Sequence, residues 1–350
     1  MKTPYPWFGG KGRIAETIWQ TFGDCPNYVE PFFGGGAVVL NRPSFDHTRH
    51  TETVNDLDCN VANFWRCLQK DPEQLVAWAD WPVNEVDLHA RHQWLVNRTW
   101  GADSEFREAM MCDPDHCDFK QAGWWVWGIC QWIGSGWCNA KQATVLTMDG
   151  NNGRGVHRRL PHLGNNGMGV HRQLPHLGNN GRGGASANLY AYFEALAERT
   201  RCLRICCGDF ERVLGPTPTE RLGITGVLLD PPYDLGKRSE VYACESDAAT
   251  RARQWALDNG HNPKLRIILC GYEGEHDMPE GWRVVAWKAA GGFGSQGQGR
   301  GRNNANLERL WLSPACLHVE DETPCSLSLD EMTRWRMERQ QQLSLWESAS

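Results

Sequence analysis

The sequence predicts an α/β fold with a mostly parallel sheet, and three observations support it. Short apolar runs typical of strands recur along the chain. Segments with one apolar face at helical spacing separate these runs, and glycine- or proline-rich turns follow several of them. Strands that alternate with helices usually pair in parallel, and such sheets bind ligands at the carboxyl ends of their strands. Functional residues are therefore expected where predicted strands end.

The individual elements follow from this pattern. In residues 11–22, Ile14, Ile18 and Phe22 recur at every fourth position and predict a helix. Helices with the same spacing are predicted over residues 56–69 and 187–201. Predicted strands cover residues 28–30, 203–206, 226–229, 265–270, 282–287 and 307–312, and another strand ends within residues 54–58.

Composition narrows the class of protein. A chain of 350 residues corresponds to about two domains at roughly 150 residues each. Hydrophobic residues make up 41% and charged residues 22%, which argues against wholesale disorder. No apolar run approaches the roughly 20 residues that a membrane span needs, and the N-terminus lacks the apolar stretch of a signal peptide. A soluble, cytoplasmic protein without a membrane partner is expected.

The 14 cysteines are expected to be reduced thiols, because cytosolic thiols are kept reduced. The closest metal-like cluster is Cys112, His116 and Cys117, with Cys130 and Cys138 further along. Its spacing matches no zinc pattern, so no metal is expected.

Charge is unevenly distributed in the middle of the chain. The net charge is -6, yet residues 150–184 contain no acid, five arginines and four histidines. Residues 150–163 recur as residues 164–177, a period of 14, and a third copy begins at residue 178. We interpret the repeat as a basic loop in which Arg154, Arg158, Arg159 and Arg172 hold phosphates. The alternative is a duplication that only lengthens a surface loop.

Residues 71–184 fit the α/β pattern poorly and are interpreted as an inserted second domain. They include a tryptophan-dense segment, residues 123–132, for which burial in a core is favoured over a ligand platform. The remaining chain is divided into residues 1–70 with 185–320, one discontinuous domain, and a C-terminal tail, residues 321–350, that ends in a polar helix.

The sharpest chemical signal is Asp230-Pro231-Pro232-Tyr233, which follows an apolar strand. The exocyclic amine of adenine is a poor nucleophile because its lone pair is delocalised into the ring. A carboxylate (Asp230) and a backbone carbonyl (Pro231) can accept the amine's hydrogens and localise that pair. The prolines fix the backbone, and Tyr233 can stack on a base. The alternative is a strand that simply ends in a Pro-Pro turn.

Two further segments favour a nucleotide-like ligand. Residues 30–36 form a glycine-rich loop after a strand and include Glu30, Phe32, Gly34 and Gly36. Farther along, Asp56 and Asp58 are suited to ribose hydroxyls, although acids here also cap helices. Near the N-terminus, Trp7 can attract a sulfonium cation and Lys11 can pair with a carboxylate.

Together these motifs resemble the Dam-like DNA adenine-N6 methyltransferases of the D12 class, especially phage and prophage versions. The aromatic-x-Gly-Gly-Lys element is matched by residues 7–11, the Glu-Pro-Phe-x-Gly-x-Gly motif by residues 30–36, and Asp-Pro-Pro-Tyr by residues 230–233. The Asp-x-Asn element is matched by residues 56–58, with Asp58 in place of the Asn. A Gly-Asp-Phe element, residues 208–210, also matches. The resemblance covers about residues 6–68 and 190–314.

The resemblance implies a Rossmann-like methyltransferase sheet that carries an inserted, mainly helical and loop-rich DNA-recognition domain. It implies S-adenosylmethionine as methyl donor and double-stranded DNA as substrate, with the target adenine flipped out of the duplex. The catalytic residues would be Asp230, Pro231, Pro232 and Tyr233. The cofactor would contact Trp7, Lys11, Glu30, Phe32, Gly34, Gly36, Asp56, Asp209 and Asp230.

Three alternatives remain at this point. Cytosine-N4 methylation uses a similar turn, although Asp at position 230 favours adenine by family resemblance. A nicotinamide-dependent dehydrogenase fits poorly because the glycine spacing is wrong. A DNA-binding relative without catalysis is the third. A monomer is favoured over a dimer. The recognition sequence, a cognate restriction endonuclease as partner, and a preference for hemimethylated DNA are left open.

Overall fold

The computed structural model describes residues 1–7, 9–100, 105–113, 115–132, 137–138, 186–233, 247–288 and 307–318. Its strands are β1 (Asn27–Glu30), β2 (Thr51–Asp56), β3 (Arg204–Cys207), β4 (Thr225–Leu229), β5 (Leu265–Tyr272), β6 (Arg283–Ala286) and β7 (Glu308–Leu312). Its helices are α1 (Ala15–Phe22), α2 (Cys59–Lys70), α3 (Pro72–Ala79), α4 (Glu85–Trp100), α5 (Glu105–Cys112), α6 (Phe119–Ile129), α7 (Ser186–Thr200), α8 (Pro216–Glu220) and α9 (Ala248–Asn259).

The described strands form one sheet in the order β3-β2-β1-β4-β5-β7-β6. The first five are parallel, whereas β7 runs antiparallel to both β5 and β6. The carboxyl ends of β1 to β5 therefore meet at one edge of the sheet. Since β7 runs the other way, its first residue, Glu308, lies at that same edge, opposite Tyr272 at the end of β5. The predicted α/β class with a mostly parallel sheet is confirmed.

Strand residues alternate between two cores, as the two-residue period of a strand requires. Tyr28 and Leu228 join the core that contains α1, α2 and α7, whereas Val29, Val227 and Ile267 join a second core with α9. Both faces of the parallel sheet are thus covered, which explains why these strands read as continuous apolar runs.

Two predicted helices begin later than expected. The helix predicted from residue 11 begins at Ala15, because the residues before it form turns that direct Lys11 into the sheet edge. The helix predicted from residue 56 begins at Cys59, because Asp56 still belongs to β2. Asp58 is the N-cap residue of α2, and its carboxylate accepts a hydrogen bond from the backbone N–H of Asn60 at 2.8 Å.

The tryptophan-dense segment is part of the core, as predicted. Trp125 and Trp127 on α6 are among the largest fully buried side chains, and Trp132 is buried after the helix. They belong to the same buried cluster as Trp65 on α2 and Phe193 on α7. Helices α3, α4 and α6 are thus continuous with the core on one face of the sheet, whereas Phe106 and Met110 of α5 join a small separate cluster. The proposed domain boundaries stay predictions, and the 14-residue repeat and C-terminal tail lie outside the described residues.

Two chemical features of the described part complete the fold. No helix there is long and apolar enough to cross a membrane. The cysteines in the same ranges are free thiols, and the most deeply buried among them, such as Cys25, Cys67 and Cys270, line the hydrophobic core.

Candidate active site at the carboxyl ends of the parallel strands

Asp230 follows β4 and is bound by Lys11. The Nζ atom of Lys11 donates to both carboxylate oxygens at 2.8 Å each. Only 3% of the Lys11 side chain is exposed, compared with 20% of the Asp230 side chain. The predicted N-terminal element and the predicted catalytic motif, 219 residues apart in the chain, therefore meet in one buried ion pair.

The surroundings of Lys11 keep it charged. Burial is the largest single effect and by itself would lower the pKa of this ammonium, but the acidic groups around it, Asp230 first, together outweigh burial and raise the pKa above its ordinary value. The ammonium also donates to the carbonyl of Gly9 at 2.9 Å and lies 5.2 Å from the ring centroid of Tyr233 and 5.7 Å from that of Trp287. These contacts fix a positive charge beside the carboxylate of Asp230.

The phenol oxygen of Tyr233 lies between two acids. It accepts a hydrogen bond from Lys11 at 2.8 Å and lies 3.0 Å from Oδ1 of Asp230 and 2.9 Å from Oε2 of Glu308. The ring packs edge-on against Tyr272, with centroids 4.7 Å apart. Pro231 is buried and Pro232 half-buried beside it. This corner therefore combines a carboxylate, a rigid turn and an aromatic ring.

The glycine-rich loop of residues 30–36 begins where β1 ends, next to β4 in the sheet. Glu30 is buried and accepts a hydrogen bond from the hydroxyl of Tyr28 at 3.0 Å. Burial raises the pKa of the Glu30 carboxyl well above its usual value, and the nearby charge of Asp230 acts in the same direction. The carboxyl at the start of the loop is thus close enough to Asp230 for their charges to interact.

Gly34 allows the loop to pass under Trp7. Its φ is 51°, in the left-handed region, and a Cβ atom there would overlap the indole ring of Trp7. Its backbone N–H donates to Oδ2 of Asp56 at 2.8 Å. Gly36 also has a positive φ of 71°, close to the ring of Phe33. The glycines are therefore required here by the protein's own rings, whereas the predicted approach to a cofactor stays a prediction.

Asp56 lies at the end of β2, where it joins the loop to the following turn. Besides Gly34, its carboxylate accepts from the backbone N–H of Asp58 at 2.9 Å. Burial, followed by the charge of Asp58, raises the pKa of Asp56 to about 7, and burial raises the pKa of Asp58 to about 6. Asp58 therefore fills the capping role considered for it, whereas Asp56 lies against the glycine loop.

Asp209 lies at the neighbouring strand end but has structural partners. Its carboxylate pairs with Arg251 at 2.9 Å and accepts from the backbone N–H of Glu211 at 3.0 Å. Side-chain hydrogen bonding to Arg251 lowers the pKa of Asp209. Phe32, the other outlying candidate, packs against Phe210 with ring centroids 4.9 Å apart. Phe32 thus lies just after β1 and Asp209 just after β3, and neither hydrogen-bonds to the Lys11–Asp230 pair within the described residues.

Sequence reasoning missed Glu308, Trp287 and Tyr272, which surround Tyr233 and Lys11. Glu308 begins β7, which runs antiparallel to β5 and β6, and Trp287 directly follows β6. The direction of a strand cannot be read from apolar runs alone. The signal for Glu308 was an acid at the first position of an apolar strand, Glu308–Leu312. The predicted phosphate contacts, Arg154, Arg158, Arg159 and Arg172, lie outside the described residues.

Comparisons with known proteins agree with the predicted resemblance. Residues 7–99 match the sequence model of the D12 class N6 adenine-specific DNA methyltransferases. The chain is also 31% identical over 75 residues to a DNA N-6-adenine-methyltransferase of Escherichia phage P1. That alignment covers 21% of this chain and only 9% of the phage P1 protein. The resemblance that the motifs predicted is therefore confirmed over residues 7–99, where the chain is similar to the D12 class N6 adenine-specific DNA methyltransferases.

Proposed function

We propose that this protein is a site-specific DNA methyltransferase that transfers a methyl group from S-adenosylmethionine to N6 of adenine in double-stranded DNA. The observation that carries the proposal is the ion pair of Lys11 with Asp230, 2.8 Å long, at the sheet edge where the glycine-rich loop also begins. The family match ends at residue 99, and the Asp-Pro-Pro-Tyr motif of residues 230–233 lies beyond it. The Lys11–Asp230 ion pair supports assigning both segments to one site.

The residues at this edge fit such a cofactor. The indole of Trp7, which packs over Gly34, offers an aromatic face to a sulfonium cation. Among the described residues, Oδ1 of Asn55 is a buried acceptor without a hydrogen-bond partner, beside Asp56 at the end of β2. Trp7, Lys11, the loop of residues 30–36 and Asp56 would hold the cofactor. When bound, S-adenosylmethionine supplies a methyl group attached to a cationic sulfur.

Asp230 and Pro231 would activate the adenine amine. The carboxylate of Asp230 accepts one N6 hydrogen and the carbonyl of Pro231 accepts the other, which localises the nitrogen lone pair. Both oxygens of Asp230 accept from Lys11, and each carboxylate oxygen has two lone pairs, so a further hydrogen can be accepted. Tyr233 would stack on the base. The adenine reaches this corner only after it is flipped out of the duplex, at a cost of a few kcal/mol.

DNA would be held by the basic segment of residues 150–184. Arg154, Arg158, Arg159 and Arg172 would contact phosphates, and other side chains within residues 71–184 would read base edges. A local cluster of this kind can bind DNA despite the net charge of -6, because salt screens acids more than about 8–10 Å away.

The test is methyl transfer by the full chain. Purified protein is incubated with methyl-labelled S-adenosylmethionine and unmethylated double-stranded DNA, and the DNA is digested to nucleosides. Label in N6-methyladenine is expected. Label in N4-methylcytosine would assign the other amine, and DNA binding without transfer would identify a relative that has lost catalysis.

Two variants assign the roles of the catalytic corner. Asp230→Ala is expected to abolish transfer, and Asp258→Ala, at an exposed acid on α9, serves as the matched control that retains it. Tyr233→Ala should weaken transfer more than DNA affinity. Equal losses of both would contradict a stacking role, and full activity of Asp230→Ala would overturn the assignment.

A further inference from the structure

Glu308 is a buried acid that the proposed chemistry does not yet use. It is 4% exposed and begins β7, opposite Tyr272 at the end of β5. Its Oε2 lies 2.9 Å from the phenol oxygen of Tyr233, at hydrogen-bond distance. Because β7 runs antiparallel to β5, the strand delivers this acid to the edge that carries Asp230.

The hydrogen-bond donors fix the direction of the contacts. Lys11 can only donate, so the oxygen of Tyr233 accepts from Nζ at 2.8 Å. The hydrogen of the phenol is then free to point to Glu308 at 2.9 Å or to Asp230 at 3.0 Å. A phenol that contacts both acids can receive a proton from one while it gives its own to the other.

The environment of Glu308 suits it to take up a proton near neutral pH. Burial raises the pKa of Glu308 to about 6; Lys11 opposes this shift, and the charge of Asp230 adds to it. A carboxylate with this pKa is mostly ionised at neutral pH and releases a captured proton quickly. The charged and titratable groups that surround it are Lys11, Asp230, Tyr233, Cys270, Tyr272 and Glu275.

We propose that Glu308 is a positioning residue and the final proton acceptor of a relay that runs from Asp230 through Tyr233. The inference rests on the proposed N6-methylation. The adenine nitrogen forms a bond to the methyl carbon as the carbon–sulfur bond breaks, and the cationic nitrogen then loses one proton to Asp230. Asp230 passes a proton to the oxygen of Tyr233 as the phenol gives its own to Glu308. Asp230 and Tyr233 return to their starting states, and Glu308 releases the proton to water.

The experiment compares single-turnover methyl transfer by the full chain and by Glu308→Gln from about pH 5 to about pH 9. Gln can accept the phenol hydrogen bond but cannot hold the proton. For the wild type we expect the rate to decline below about pH 6, and for Glu308→Gln about a tenfold lower rate without this decline. A merely structural role would lower the rate without removing this feature of the pH profile.

Tyr233→Phe interrupts the same relay and keeps the stacking ring. Because both variants break one path, the double variant should be no slower than the slower single variant. The relay would be overturned if the rate losses of the two single variants multiply in the double variant, or if the pH profile of Glu308→Gln is unchanged. Either result would leave the proposed N6-methylation by the wild type intact. Failure of the wild type to label N6 at any pH would overturn the proposed function and the relay with it. Thermal unfolding of each variant verifies that it is folded.

Discussion

The ammonium of Lys11 bridges both carboxylate oxygens of Asp230, at 2.8 Å to each. The contact joins the segment before α1 to the turn after β4 and places a lasting positive charge at the centre of the candidate site. Removing one member of a buried ion pair costs more than the pair contributes, because the remaining charge is left without a partner. Lys11 thus pairs with the carboxylate of Asp230 and fixes the path of the N-terminal segment.

Lys11→Met is expected to lower both stability and activity. Loss of a partner from a buried pair costs about 3–5 kcal/mol, and the partial exposure of Asp230 should reduce this to about 2 kcal/mol. Methyl transfer should fall at least about a hundredfold, the size expected when a preorganised electrostatic contact is lost. Urea denaturation and labelled transfer measure the two effects. Lys264→Met, at an exposed lysine, is the control, and equal results for both variants would contradict the role of Lys11.

The requirement for glycine at Gly34, in the loop of residues 30–36, can be tested against another glycine with a positive φ. Gly34 and Gly274 have φ values of 51° and 79°, but only at Gly34 does an added Cβ atom overlap a neighbour, the indole of Trp7. Gly274→Ala should cost about 1–2 kcal/mol from backbone strain alone. Gly34→Ala should cost about 1–3 kcal/mol more, because the indole must move.

Chemical denaturation of Gly34→Ala and Gly274→Ala measures the difference between their losses in the free energy of unfolding. In the background of Trp7→Ala, the extra cost of Gly34→Ala should largely disappear, since the overlapping ring is gone. An extra cost that persists without the indole would show that the loop, rather than Trp7, requires glycine at this position.

Much of the site could be predicted because its parts are local. Each motif is a strand followed by a characteristic turn, and parallel strands bring their carboxyl ends to one edge. The turn at Asp230 and the loop at Gly34 could therefore be placed from short stretches of sequence. The ion pair of Lys11 with Asp230 could not be predicted from the sequence, because a contact between distant segments depends on the path of the turns before α1. The sequence interpretation paired Lys11 with a ligand carboxylate instead.

The order of the strands in the sheet and the reversed direction of β7 also could not be predicted from the sequence. The position of Glu308 depends on β7 entering the sheet in the reverse direction between β5 and β6, which periodicity does not encode. In the same way, the pattern of residues 71–184 does not predict that Trp125 in α6 packs with Tyr5, at 4.9 Å between ring centroids. Hydrophobic residues reveal burial but do not identify which core they join.

The acidic turn after β2 predicts how stability changes with pH. The pKa values of Asp56 and Asp58 are raised to about 7 and about 6, so the folded protein retains protons that the unfolded chain has already released. The free energy of unfolding should therefore fall as pH rises from about 4 to about 7. Asp58→Asn keeps a capping side chain for Asn60 and removes one of these acids.

The substitution Asp58→Asn should stabilise the ligand-free protein at about pH 8 by up to about 2–3 kcal/mol, at roughly 1.4 kcal/mol per pKa unit. It should have little effect at about pH 4, where the carboxyl is already protonated in the folded protein. Urea denaturation at both pH values measures this. Destabilisation at the higher pH would show that the charge of Asp58 supports the turn.

The 14-residue repeat offers a test that depends on sequence alone. Deleting residues 164–177 removes one full copy and with it a single arginine, Arg172. If that arginine holds a phosphate, the slope of log affinity for double-stranded DNA against log salt should become shallower by about 0.9. Arg172→Gln should reproduce this change without shortening the segment, which separates the effect of charge from the effect of length. If the deletion leaves both the slope and the affinity unchanged, the duplication only lengthens the segment, and the phosphate contacts must come from other cations of residues 71–184.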